Sequence, residues 1–279
     1  MSRDERYRYR TANLTEYKTN IPFNYKFTLR QSNFDKPRFT EAWKYTKEKG
    51  ETKAKWIMCL PPKHGTSNWQ RSIIASMRNK TSDQIAWNSY LYKVIPNLGN
   101  KRWLSEIVNT IVLAEKKVLL ARHPIDKLYS AWADKFRMNN DHYHTYKKWV
   151  NQMPHKYMHL TPANHAVSFP DFIRYWLDNK KELWFNVHWK SQEYDCFPCS
   201  IHWDYIATTE TSDFDNNAIM SILYPGSAAS ILPKYDHTEK RFQKNLSLND
   251  EKNKWLPEEY KEELREHFKW ELKMFGYEY

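Results

Sequence analysis

Apolar positions in this chain come in short runs separated by long polar stretches, and the runs have two different periods. The first is Lys55-Trp56-Ile57-Met58-Cys59-Leu60, ended by Pro61-Pro62. A run this short, closed by prolines, predicts a buried strand. A polar loop, Lys63 to Asn68, follows it. Trp69, Ile73 and Met77 then recur every four residues, which predicts a helix. The sequence repeats this grammar at Lys117-Val118-Leu119-Leu120-Ala121-Arg122, a second strand ended by His123-Pro124. Pro124 suits the first turn of a helix, and Leu128, Trp132 and Phe136 continue at a four-residue step. A third strand is predicted at Tyr205 to Thr209, leading through Glu210-Thr211-Ser212-Asp213 into a helix from Phe214 to Leu223, with Thr211 or Ser212 as its N-cap.

Strand-turn-helix units joined by long crossovers predict an α/β fold: a central parallel sheet with helices on its faces. Asp171 to Leu177 predicts a short helix. Pro257 to Phe275, with Tyr260, Leu264, Phe268 and Leu272 on one stripe, predicts an amphipathic helix. Residues 141–168, full of His, Tyr, Lys and Asn, read as a substrate-facing insertion. Residues 1–50 show little apolar periodicity and read as an extended or partly helical arm packed on the main domain; residues 51–279 read as one domain.

Composition narrows the function classes. Of the 279 residues, 44 Lys+Arg against 33 Asp+Glu leave a net charge of +11, so the chain attracts polyanions: nucleic acid, an acidic membrane face, or sulfated or carboxylated glycans. An aromatic content of 16% excludes a chain that is wholly a disordered polar tail. No run approaches the ~18 apolar residues of a membrane span, and the first ten residues lack a signal-peptide core. Whatever delivers the protein to its compartment is therefore expected to lie outside this numbering, or there is none. Three N-x-[ST] sequons, at Asn13, Asn79 and Asn245, fit a luminal or secreted chain. Cys196 and Cys199 form a C-x-x-C without a second pair to complete a zinc site. A local disulfide, or two buried thiols, is the expected state, with Cys59 far upstream.

Two segments carry candidate chemistry. Lys63-His64-Gly65-Thr66-Ser67-Asn68-Trp69 occupies a strand-to-helix turn. Backbone N–H groups at a helix start lack intrahelical partners and sit at the positive end of the helix dipole. Gly65 allows close backbone approach, Thr66 and Ser67 offer hydroxyls, and Lys63 supplies a charge; together they predict a phosphate cradle. The order of a Walker A loop is absent. The second segment is Arg122-His123-Pro124-Ile125-Asp126-Lys127-Leu128-Tyr129-Ser130. An Arg fork at a strand end with a hydroxyl on the following helix suits a phosphate monoester. Two anion sites at the carboxyl ends of parallel strands predict a ligand with two separated phosphates, in the crevice where open α/β sheets bind.

These segments resemble those of the Golgi carbohydrate sulfotransferases, most closely the chondroitin and dermatan 4-O-sulfotransferase type. Cys59 through Arg71 resembles the family's 5′-phosphosulfate loop, commonly P-K-x-x-x-T-N-W-K-R. Arg122 through Ser130 resembles its 3′-phosphate element, commonly R-D-P-x-x-R-L-x-S-A. The likeness continues in Phe169-Pro170-Asp171-Phe172-Ile173, Asn186-Val187-His188-Trp189, Cys196-Phe197-Pro198-Cys199, Tyr205 through Thr211 and Met274-Phe275-Gly276-Tyr277, and covers about residues 55–277. His123 stands where the family usually has Asp, Lys127 where it has Arg, and Ser67 and Gln70 where it has Thr and Lys.

The resemblance implies a P-loop-like three-layer fold with largely helical insertions. It implies sulfuryl transfer from 3′-phosphoadenylyl sulfate to a sugar hydroxyl, leaving adenosine 3′,5′-bisphosphate and requiring no metal. Donor contacts are then expected from Lys63, His64, Gly65, Thr66, Ser67, Asn68, Trp69, Arg122, His123, Pro124, Lys127 and Ser130. Lys63 would also stabilise the leaving group. His188 is the expected general base, with His165 in reserve and Glu210 as an orienting or helix-start carboxylate. The implied partner is an acidic glycan, with the Golgi lumen as compartment and no nucleic acid. Two other readings compete: a polyanion-binding protein that keeps the fold without catalysis, and a nucleotide-dependent phosphoryl transferase.

Overall fold

A computed structural model of the protein describes residues 39–43, 54–85, 114–136, 153–157, 167–180, 186–192, 196, 198, 201–226 and 256–277. Its strands are β1 (Phe39–Trp43), β2 (Ala54–Cys59), β3 (Lys116–Ala121) and β4 (Tyr205–Thr208). Its longer helices are α1 (Thr66–Met77), α2 (Pro124–Lys135), α3 (Phe169–Asp178), α4 (Ser212–Leu223) and α5 (Glu258–Phe275). Contacts divide the chain into two compact units. One comprises 1–122, 192–234 and 273–278; the other comprises 123–191, 235–272 and residue 279.

The first unit is built on the sheet, in the order β1-β2-β3-β4. β2, β3 and β4 are parallel, with Met58 opposite Val118 and Leu119 opposite Ile206, as the crossover argument requires. β1 is an addition to the expected sheet. It lies antiparallel to β2, with Phe39 opposite Cys59, in a stretch that periodicity alone assigned to an arm.

The period of two along each strand sorts the apolar residues onto two faces. Trp56, Met58, Leu60, Val118, Leu120 and Ala207 pack with Trp69, Ile73 and Ile74 of α1 and with Ile219, Met220 and Leu223 of α4. Ile57, Cys59, Leu119, Ala121 and Ile206 pack on the other side with Trp203, Met274 and Phe275. Both faces are therefore covered, which explains why β2 and β3 read as continuous apolar runs rather than alternating ones. Each fully buried side chain of this size contributes about 1.5–3 kcal/mol.

On the second of these faces lies a bond the sequence does not show: Cys59 and Cys196 form a disulfide across 137 residues. This corrects the expected local pairing of Cys196 with Cys199, whose own position is outside the described residues. The physical reason is register. Cys59 ends β2 on the face where Cys196 is buried, so distant sulfurs are brought together by the sheet. Closing a loop of this length restricts the unfolded chain by about 5 kcal/mol on the chain-entropy account.

In the second unit α2 and α3 meet through aromatic rings. Phe169 packs edge-on to Tyr129, and Phe172 lies 4.8 Å from Phe136. Trp189 sits against both Phe136 and Phe172, which anchors the turn that carries His188. Trp132 is half-buried and its indole N–H donates to the Val167 carbonyl at 2.8 Å. α3 is held to α5 by Trp176 stacked on Phe268 and by Arg174 bonded to Glu263 at 2.7 Å. Among the described residues, no helix is long and apolar enough to cross a membrane.

Candidate active site

The turn after β2 is bound tightly to itself. The Thr66 hydroxyl donates to the Pro61 carbonyl, and the His64 amide donates to the same oxygen at 3.3 Å. His64 is fully buried, and its Nδ1 bonds the Pro62 carbonyl at 2.9 Å. Lys63 and Gly65 both hold left-handed backbone, at φ 71° and 70°. Glycine adopts that region freely; a lysine there is strained by about 1–2 kcal/mol. The strain turns the chain sharply enough for α1 to begin at Thr66, three residues before its first apolar position. Thr66, Ser67 and Asn68, expected in a loop, are thus the helix's first turn.

That first turn is electrostatically unusual within this protein. Gly65 is the N-cap, with no side-chain cap bond and no acidic residue in the turn. By contrast α2 has Asp126 in its first turn, α3 has Asp171 and a Ser168 cap, α4 has Asp213 and Asp215, and α5 has Glu258 and Glu259. Among these five helices, α1 alone brings no carboxylate to its positive end. The amides of Thr66 and Ser67, the first two of the helix, have no carbonyl one turn back to receive them. Trp69 is buried in the core, so it anchors α1.

Arg122 follows the last residue of β3. Its Nη1 donates to the Lys63 carbonyl, so the first residue of the second predicted motif is bonded to the turn that carries the first, both within the sheet-bearing unit. Its backbone is held on both sides by Gln192: the Arg122 amide donates to Oε1 at 3.1 Å, and Nε2 donates to the Arg122 carbonyl at 2.6 Å. Gln192 is fully buried, and the sequence reading did not single it out.

At β4 the corresponding turn is filled by the protein's own anion. The buried Asp215 carboxylate accepts from the Thr208 amide at 2.9 Å and from the Thr211 hydroxyl at 2.5 Å. Glu210 lies in the short 3₁₀ turn before α4 and accepts from the Tyr277 hydroxyl at 3.2 Å. Thr211 is the N-cap residue of α4.

The second unit carries the remaining predicted residues. His123 caps α2, its carbonyl accepting from the Lys127 amide at 3.0 Å, and Pro124 is the first helical residue. Ser130 lies two turns into α2 and is half-buried. Lys127 is only 2% exposed, and its ammonium donates to the Lys190 carbonyl at 2.6 Å. His188 is half-buried in the turn 186–190, where its amide donates to the Asn186 side chain at 3.0 Å. His165 is outside the described residues.

Comparison with known proteins finds carbohydrate sulfotransferases. Over 182 residues the chain is 27% identical to human carbohydrate sulfotransferase 9, covering 62% of this chain and 40% of that protein. Over 237 residues it is 28% identical to mouse carbohydrate sulfotransferase 11, covering 79% of this chain and 64% of that protein. Over 168 residues it is 26% identical to mouse carbohydrate sulfotransferase 14, covering 60% and 43%. The match thus spans less than half of the first of these relatives. No solved structure matches. Residues 50–278, from before β2 to the end of α5 and beyond, match the profile described as the sulfotransferase family, and the chain belongs to that family.

Proposed function

We propose that this protein transfers a sulfuryl group from 3′-phosphoadenylyl sulfate to a hydroxyl of a carbohydrate, with a glycosaminoglycan such as chondroitin as acceptor. The observation that carries the reading is the start of α1. A helix N-terminus without a carboxylate of its own, flanked by Lys63 and bonded through that residue's carbonyl to Arg122, is suited to an anion supplied by a ligand. The donor carries its transferable group on a 5′-phosphosulfate and a second phosphate at the 3′ position. Lys63 and the amides of Thr66 and Ser67 suit the first. Arg122 suits the second, and the family motif assigns His123, Pro124, Lys127 and Ser130 to the same end.

The reaction is an in-line displacement. A bond forms between the acceptor oxygen and sulfur as the bond from sulfur to the phosphate oxygen breaks. Charge develops on the departing phosphate, where Lys63 and the helix dipole stabilise it. The acceptor loses its proton in the same step, and His188 is the group assigned to take it. The net charge of +11 draws an acidic glycan toward the surface and raises its encounter rate at low salt.

Compartment follows from chemistry of the same kind. A disulfide that closes so long a loop suits an oxidising lumen, and the Golgi lumen is the compartment in which this acceptor class is built. Asn79 of the sequon Asn79-Lys80-Thr81 is exposed in the turn after α1.

Labelled-sulfate transfer over a panel of desulfated glycosaminoglycans tests the activity, and ligand-induced thermal stabilisation tests the donor. Adenosine 3′,5′-bisphosphate should stabilise the protein and ATP with Mg²⁺ should not. Stabilisation by ATP alone would overturn the reading in favour of phosphoryl transfer.

A further inference from the structure

The contacts around Arg122 close into a ring. From Cys59 the chain runs through Pro61 and Pro62 to Lys63, whose carbonyl accepts from the Arg122 guanidinium. The backbone of Arg122 is bonded at both its amide and its carbonyl by the Gln192 carboxamide. Four residues beyond Gln192, Cys196 returns to Cys59 through the disulfide. Cys59 itself lies opposite Leu119, three residues before Arg122, in the β2–β3 register. Every member of the ring belongs to the sheet-bearing unit.

We propose that Gln192 is a positioning residue for donor binding, setting Arg122 so that the two anion-binding turns keep a fixed spacing. The inference rests on the donor site proposed above. A carboxamide that both donates to and accepts from one residue does the work of a neighbouring strand's peptide, at a point where β3 has already ended. It therefore fixes the backbone from which the guanidinium extends. The disulfide gives the segment bearing Gln192 a covalent anchor at the sheet, so the carboxamide cannot drift without dragging the end of β2. A rigid spacing matters because the donor's two phosphates are separated by a nearly invariant ribose, and a site built in advance loses less order on binding.

The test compares adenosine 3′,5′-bisphosphate with adenosine 5′-phosphate by calorimetry. Gln192→Ala should weaken the bisphosphate about tenfold, the scale of one misplaced charge-assisted bond. Adenosine 5′-phosphate should change by less than about twofold, since the Lys63 turn keeps its own bonds to Pro61 and Pro62. In an Arg122→Ala background Gln192→Ala should cost no further bisphosphate affinity, because its effect passes through Arg122. Unchanged bisphosphate affinity in Gln192→Ala, or the same loss with and without Arg122, overturns the positioning role. If Gln192→Ala does not fold, Gln192→Met, which fills the space without either hydrogen-bonding group, takes its place in the same cycle, with the same selective loss expected and no loss overturning the role. Failure of the wild-type protein to bind the bisphosphate, or indifference to Arg122→Ala, overturns the donor site itself. Normal dependence on Arg122 with indifference to Gln192 overturns only the inference.

Discussion

The turns after β2 and β4 are built to the same plan and finished differently. Each follows a parallel strand of one sheet and opens a twelve-residue helix. At β4 the protein supplies its own anion: Asp215 accepts from the Thr208 amide and the Thr211 hydroxyl. At β2 no carboxylate occupies the first turn, the cap is Gly65, and a lysine stands beside it in strained backbone. A helix start that carries its own carboxylate is complete as folded. One that carries none and is flanked by cationic side chains becomes complete when a ligand's anion arrives. On the proposed reading, the difference separates a structural turn from a binding one.

The largest effect should follow removal of charge from the β2 turn. Lys63→Ala should lower sulfuryl transfer by about 10²–10³-fold, the scale of losing one group that stabilises developing charge. His188→Ala should lower turnover by about 10²–10⁴-fold while bisphosphate binding stays intact, since a general base acts on the acceptor. Retained turnover in His188→Ala would move the base elsewhere.

A sharper attack makes the β2 turn resemble the β4 turn. Ser67→Asp places a carboxylate in the first turn of α1, where the helix dipole favours it by about 0.3–1 kcal/mol. The ligand-free protein should melt slightly higher, whereas donor affinity should fall by more than an order of magnitude through like-charge repulsion, about several kcal/mol at close range. Opposite signs for stability and binding would confirm that this pole is reserved for a ligand. Equal signs would break the comparison.

The converse change empties the β4 turn. Asp215→Ala leaves the buried Thr208 amide without its acceptor, while the half-buried Thr211 hydroxyl keeps the Thr208 hydroxyl at 2.8 Å, and should cost about 1–3 kcal/mol in urea unfolding. Bisphosphate affinity of the folded fraction should not change. A selective loss of donor affinity would assign the β4 turn to the ligand as well.

What sequence alone made legible follows from what is local. Trp56 to Leu60 announces a strand because both faces of β2 are covered, and the four-residue step from Leu128 to Phe136 announces α2. The start of α1 lies three residues before the apolar pattern begins because its first turn is the polar Thr66-Ser67-Asn68, which carries no apolar period. β1 was invisible because five residues with one charge and one hydroxyl carry no decisive period. The partner of Cys196 depends on which face of β2 Cys59 occupies, and Gln192 on which residue follows the end of β3 in space. Neither is a matter of spacing. The motif residues Lys63 and Arg122 were readable one by one; the hydrogen bond between their turns was not.

The smallest effect separates two glycines with the same backbone. Gly65 and Gly226 both have positive φ, 70° and 78°. A methyl group on Gly65 would lie 3.9 Å from the Thr209 side chain, an ordinary contact, and one on Gly226 would meet nothing within 4 Å. Neither substitution is blocked sterically, so each should cost about 1 kcal/mol for holding alanine in the left-handed region. Their melting temperatures should therefore fall together. They should part on the bisphosphate, because relaxation of residue 65 rotates the first amides of α1 away from the anion, whereas the turn at 226 faces no proposed ligand. A few-fold loss in Gly65→Ala with none in Gly226→Ala would show that the left-handed cap serves binding as well as folding. Identical affinities for the two variants would reduce Gly65 to turn chemistry and leave Lys63 and Arg122 to hold the donor without it.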